Sequence, residues 1–259
     1  MTVIERAYPM PKRLGTPLPS ASRPTGDADP IVLVGGFANA PNGWDEWVRS
    51  LADDGFRDVN VFDLPSRGLG DMRESGELLA NYIDDIAQRT GRKVDVVGFS
   101  EGGLLARMAV GQLKRADKVD RLIGLATPNA GIQLLAGAYK KAPKLARWVD
   151  TQLPAYGQLL EGSAIIGEIA AGDAPLRAAK DSVRYASIYS QSTDTMVRAN
   201  SAKLDGAVNV PVAPDTRWQG DPTHFSMYHL SDRAYAAARE LLLDHPDANA
   251  VAIGQSGKP

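Results

Sequence analysis

Short apolar runs punctuate this chain at intervals. Ile31-Val32-Leu33-Val34, 59–62, 94–97, 121–126, 185–189 and 208–210 are brief and rich in valine, leucine and isoleucine. The runs show little alternation with polar residues. That is the pattern of strands buried on both faces. Between them the apolar positions change period. Trp44, Trp47, Val48 and Leu51 recur at i, i+3, i+4 and i+7, and Leu79, Tyr82, Ile83 and Ile86 do the same. Leu104, Leu105, Met108 and Ala109, and later Ala234, Ala238, Leu241 and Leu242, also fall at helical spacing. These are amphipathic helices. Gly91 should end the second, and Ser231 should cap the start of the last. Strands alternating with helices predict an α/β fold, with a mostly parallel central sheet and helices on both faces. Chemistry in such sheets sits beyond the carboxyl ends of the strands.

Two stretches break the rhythm. Residues 1–30 carry six prolines, at 9, 11, 17, 19, 24 and 30. They predict an extended N-terminal arm laid over the domain. Residues 131–180 separate two strands by far more than the usual dozen or so residues of a crossover. Their pattern is helical, through Leu145, Trp148 and Val149 and then Ile165, Ile166 and Ile169. They read as a helical cap insertion over the rim of the site. The division is therefore an arm (1–30), a core (31–130 and 181–259) and a cap (131–180). Lys140, Lys141, Lys144 and Arg147 in the cap form either a solvated helix face, the commoner case, or a seat for an anionic substrate.

The sharpest chemical signal is the stretch 94–107. An apolar strand runs into Gly98-Phe99-Ser100-Glu101-Gly102, and a helical pattern follows. Gly-x-Ser-x-Gly between strand and helix is a nucleophile elbow, with Ser100 exposed at a strained apex. The helix N-terminus behind it offers free N–H groups to a developing oxyanion. The residue after the nucleophile, Glu101, should supply one such N–H. The loop after the first buried strand should supply the other, at Phe37. The side chain of Glu101 has two outlets, solvent or an ion pair with the cap.

Serine needs a base. The chain has only three histidines, His224, His229 and His245, and all follow Ser100. An order with histidine first is therefore excluded, while Ser…Asp…His is open. His224 lies in a loop after the last strand and is the leading choice. His229 is its rival, and His245 sits near the polar C-terminus. For the acid, Asp194 directly follows the strand after the cap, ahead of Asp205 and Asp215.

Composition removes other classes. The chain has 259 residues, 44% of them hydrophobic and 23% charged, which suits a globular domain with a large core. A net charge of −2 gives no attraction to nucleic acid. The absence of cysteine excludes disulfides and thiolate chemistry. There is no Walker loop, dinucleotide fingerprint or zinc motif, so no cofactor or metal is expected. No apolar stretch is long enough for stable membrane insertion. No signal peptide heads the chain, which points to a cytoplasmic protein, or to a secreted one whose leader was removed. The oligomeric state is left open.

With these residues in view, the chain resembles the bacterial triacylglycerol lipase/esterase family (lipase class 2) of the α/β-hydrolase superfamily. Three blocks carry the resemblance: 31–37; 94–131 with Gly98-Phe99-Ser100-Glu101-Gly102-Gly103; and 185–210 with Asp194-Thr195-Met196-Val197, continuing to His224. It implies an α/β-hydrolase fold, with Ser100 as nucleophile, Asp194 as acid, His224 as base, and Phe37 and Glu101 as oxyanion donors. Two positions depart from the family pattern. Gly35-Gly36 replaces His-Gly after the first strand, and Phe99 replaces histidine at the elbow. The expected activity is hydrolysis of an apolar acyl ester through an acyl-enzyme. The same triad would also serve a thioesterase, an acyltransferase or a cyclising enzyme. A non-catalytic binding protein on the same fold is the alternative of another class.

Overall fold

A computed structural model describes residues 13–19, 22–24, 28–133, 136–179, 182–213, 223–229 and 231–243. In chain order the elements are β1 (Ile31–Val34), α1 (Asp45–Asp54), β2 (Val59–Phe62), α2 (Met72–Thr90), β3 (Val94–Phe99) and α3 (Glu101–Gly111). Then come β4 (Val119–Leu125), α4 (Ala136–Lys141), α5 (Pro143–Gln152), α6 (Pro154–Leu159), α7 (Ala164–Ala178) and β5 (Arg184–Ser190). The chain closes with α8 (Ala199–Ala202), β6 (Val208–Val212), α9 (Ser226–His229) and α10 (Asp232–Leu242).

The strands form one sheet in the order β2-β1-β3-β4-β5-β6, and every pairing is parallel. Alternation along each strand sends its apolar side chains to opposite faces. Val32, Val34, Val94, Val96 and Leu122 face one way, into a core shared with α2, α3 and α7. Ile31, Leu33, Val97, Phe99, Ile123, Leu125 and Ile188 face the other, against α1 and α10. This two-sided burial explains the continuous apolar runs in the sequence. Pro211 is tolerated in β6 because that strand is at the edge. Gly91 ends α2 in a left-handed conformation at φ 67°, and the Ser231 side chain accepts from Ala234 N–H at the start of α10.

The chain moves from β1 to β2 on one side and then returns to place β3 on the other. Where strand order reverses, the loops after β1 and β3 part and leave a crevice. Both candidate oxyanion donors and Ser100 lie there.

Of the proline-rich arm, residues 13–19 lie against α1 and α10. Leu14 and Leu18 are buried. Leu14 N–H donates to Ser50 Oγ (2.8 Å), Gly15 N–H to Asp232 Oδ1 (2.9 Å) and Leu18 N–H to Asp54 Oδ1 (3.0 Å). Asp54 is fully buried and also accepts from Arg13, from Tyr235 Oη (2.7 Å) and from Arg239 Nη1 (3.2 Å).

Among its described residues the 131–180 stretch holds four helices of two kinds. α7 is the crossover helix that packs on α3 through Ile165, Ile166 and Ile169. It is fastened by a buried ion pair, where Arg107 Nε and Nη2 meet Asp173 Oδ2 and Oδ1 at 2.7 and 2.9 Å. Arg107 Nη1 also reaches Asn129 Oδ1 at 3.0 Å, tying the loop after β4 to the same pair. α5 buries no residue, and its Leu145 and Trp148 are 57% and 60% exposed. The apolar spacing that marked α5 as a helix thus serves no core among the described residues. Lys141, Lys144 and Arg147 are exposed as well, and the Lys140 side chain lies outside the described residues.

Candidate active site

The elbow is built by close approach. A Cβ added to Gly98 would lie 2.5 Å from Gly103 N and 2.6 Å from Gly102 C, so any side chain there would push the helix off the strand. Ser100 has φ 52° and ψ −120°, a conformation few non-glycine residues adopt. Fully buried neighbours on β3 and α3 hold it there. Ser100 N–H donates to Leu125 O (2.8 Å), which fixes the apex to the end of β4.

The histidine bonded to Ser100 comes from the far end of the chain. His224 Nε2 lies 2.9 Å from Ser100 Oγ across 124 residues of sequence. Its Nδ1 lies 2.8 Å from Asp194 Oδ2. A carboxylate can only accept, so the Nδ1 carries the proton and Nε2 is left to accept from the serine hydroxyl. Asp194 is fixed in turn, because its Oδ1 accepts from Met196 N–H (3.0 Å) and Val197 N–H (2.8 Å). The imidazole packs beside the Phe99 ring at 5.0 Å between centroids, and Phe99 stacks on Tyr228 at 4.1 Å. The three polar residues are 4–5% exposed, so their hydrogen bonds act with little competition from water.

The rivals are elsewhere. His229 packs on Tyr228 (3.8 Å between ring centroids) and against Gly43, and burial pulls its pKa below the usual imidazole value. Asp205 meets Arg177 through its backbone carbonyl. His245 and Asp215 lie outside the described residues.

The loop after β1 abuts Ser100. A Cβ on Gly36 would sit 2.9 Å from both Ser100 Cβ and Phe99 O. Asn39 N–H donates to Gly36 O (3.0 Å), closing a tight turn with Ala38 at φ 60°. Asn39 Oδ1 accepts from Gly36 N–H (2.9 Å), and its Nδ2 donates to Tyr228 Oη (2.7 Å). Phe37 N–H takes no part in these turn bonds. The Glu101 N–H opens α3, where no intrahelical acceptor exists. Sequence reasoning passed over Asn39 and Tyr228. Asn39 was at least legible as a turn-forming residue in a glycine-rich loop.

The Glu101 side chain takes neither outlet expected for it. It is 0% exposed and has no ion-pair partner among the described residues. Burial pushes its carboxyl well above the usual glutamate range. The reason is steric. Its helix position faces the turn at 65–68, where Gly68 leaves room for a carboxyl and no route to water.

The sequence profile of the α/β-hydrolase fold matches residues 29–234. The chain belongs to the α/β-hydrolase fold family. Among solved structures, this hydrolase-fold chain is similar to the lipase BlEst2 of Bacillus licheniformis in its mature form. Identity is 23% over 85% of this chain and 94% of that one, with a TM-score of 0.63. Lipase B of Aspergillus fumigatus follows, at 19% identity over 100% of this chain and 66% of that one, TM-score 0.64. The monoacylglycerol lipase of Paleococcus ferrophilus superposes with a TM-score of 0.58 at 15% identity, over 84% and 96%. No curated protein matches the sequence. Among the described residues no helix is long and apolar enough to cross a membrane.

Proposed function

We propose that this chain is a serine carboxylic-ester hydrolase acting on apolar acyl esters, with Ser100, His224 and Asp194 as its triad. The observation that carries the reading is the unbroken hydrogen-bond chain from Ser100 Oγ through the imidazole to Asp194. Ser100 Oγ attacks the ester carbonyl while His224 Nε2 takes its proton. Asp194 holds the ring in the accepting tautomer and stabilises the imidazolium. The oxyanion accepts from the Phe37 and Glu101 amides. His224 then returns the proton to the leaving alkoxide, and the alcohol departs. Water, deprotonated by the same imidazole, attacks the acyl-enzyme and releases the acid.

The apolar surroundings favour an acyl chain over a polar one. Phe37 contacts Tyr156 of α6 at 6.2 Å between centroids, Tyr156 contacts Tyr139 of α4, and Phe225 beside the base is half exposed. The helices α4–α6 act as the cap in this reading. The lipases and esterases of similar fold agree with it, as does the lipase class 2 resemblance of the sequence.

The test is hydrolysis of p-nitrophenyl esters from acetyl to palmitoyl by the wild type and Ser100→Ala. Loss of the nucleophile should lower turnover by about 10⁴-fold or more. Equal rates for the two proteins would refute the assignment. An inert wild type that transfers acyl groups to added amines or alcohols would move the chemistry to acyl transfer.

A further inference from the structure

One buried acid has no part in the steps above. Glu101 directly follows the nucleophile, its side chain is 0% exposed, and neither carboxyl oxygen has a hydrogen-bond partner among the described residues. Burial alone drives its pKa upward, with no charged group contributing, which favours the protonated form, the one that can donate. Its surroundings are specific. A Cβ placed on Gly68 would lie 2.7 Å from Glu101 Oε2, 2.8 Å from Leu64 Cδ2 and 3.0 Å from Gly36 O. The acid and the Gly36 carbonyl therefore border one small gap, kept open by the missing side chain of Gly68. The turn on its far side is strained at Ser66 and Arg67, at φ 50° and 56°, while Gly68 takes φ 73° freely. Strain of this kind persists where the surroundings over-determine it, and it clusters at functional sites.

Gly36 O is the other end of the peptide group that carries Phe37 N–H, and peptide planarity makes the two turn together. The carbonyl accepts from Asn39 N–H at 3.0 Å and keeps a second lone pair free. We propose that Glu101 is a positioning residue: its carboxyl donates to Gly36 O as the oxyanion forms, holding the Gly36–Phe37 peptide with its N–H on the reacting centre. In the resting structure the two groups share the gap without a bond, and catalytic hydrogen bonds commonly tighten only in the reacting complex. An apolar side chain would fill the same space without an unpaired polar group, so Glu101 costs the fold stability that only the reaction repays.

The inference rests on the serine-hydrolase reading, and the experiment separates the two. Glu101→Gln, Glu101→Met and Glu101→Leu are compared with the wild type in kcat and KM on p-nitrophenyl butyrate and in Tm, with Ser100→Ala as control. Gln keeps a donor, so its kcat should stay within about five-fold of the wild type, while Met and Leu should lose about 10- to 100-fold with KM little changed. Met and Leu should at the same time melt at or above the wild-type temperature. A packing role would not move activity and stability in opposite directions. Met or Leu turning over as fast as Gln, or Gln as slow as Met, overturns the proposal while leaving the hydrolase reading intact. A wild type without Ser100-dependent turnover overturns both.

Discussion

Replacing Asp194 by asparagine and by alanine should separate two jobs done by one side chain. Its Oδ1 accepts from two backbone amides, Met196 at 3.0 Å and Val197 at 2.8 Å, while Oδ2 faces His224 Nδ1 at 2.8 Å. In Asp194→Asn the two amides dictate the orientation. The new carbonyl oxygen must face them, because a flipped NH2 would set donor against two donors. The NH2 then points at His224 Nδ1, which must accept. The ring proton moves to Nε2, the atom that has to accept from Ser100. Turnover should fall by about 10⁴-fold, the size of a tautomer error in such a triad. Stability should change by less than about 1 kcal/mol, since every buried group keeps a partner. In Asp194→Ala both amides and the imidazole lose theirs at a site 5% exposed. At about 1–3 kcal/mol for each orphaned buried group, the fold should lose about 3–5 kcal/mol once the loop relaxes. The assay is p-nitrophenyl butyrate turnover beside urea unfolding, with the slope of unfolding held constant. An asparagine variant within tenfold of wild-type kcat would refute the role of Asp194. An asparagine variant as unstable as the alanine one would refute the orientation argument.

Other perturbations follow from the same geometry. Gly98→Ala puts a methyl 2.5 Å from Gly103 N, against backbone that cannot swing away, so both soluble yield and esterase activity should collapse together. Asp173→Ala leaves the fully buried Arg107 guanidinium with only Asn129 among the described residues, and about 3–5 kcal/mol should be lost in urea unfolding. A loss under 1 kcal/mol would mean that water or Asn129 replaces the carboxylate. At the amino end of the central strand β3, away from Ser100, burial raises the pKa of Asp95 to about 7 and outweighs Arg121 at 2.8 Å. The folded state therefore binds the proton more tightly than the unfolded chain, and this stability is lost as pH rises from about 4 through about 7. Asp95→Asn should widen its urea-midpoint advantage over the wild type across that range, while Arg121 keeps Asp120 at 3.3 Å. A gap independent of pH would show the group to be ionised throughout.

The amino-acid sequence by itself determined the architecture and the apex of the site. Six apolar runs without alternation could only be strands covered on both sides, and helical spacing between them required parallel connections. Gly98, Ser100 and Gly102 marked the elbow because a strand can turn into a helix that tightly only where Cβ atoms are missing. These features are local, and periodicity and turn chemistry record local features well. Pairing the rest of the site is not local. His224 could be preferred to His229 only by its place in the loop after the last predicted strand and by the family resemblance, and it took the sheet to bring it 2.9 Å from a serine 124 residues away. The 131–180 stretch looked uniform in sequence. Only packing divided it into α7, which shares a buried ion pair with α3, and α5, whose Leu145 and Trp148 find no cover among the described residues. Glu101 shows the limit most plainly. A charged residue beside Ser100 reads as facing solvent or an ion-pair partner in the cap, since burying a carboxyl unpaired is costly. Its burial depends on a gap left by Gly68, 33 positions earlier in the chain. Such gaps form only when distant segments pack, and no pattern of neighbouring residues encodes them.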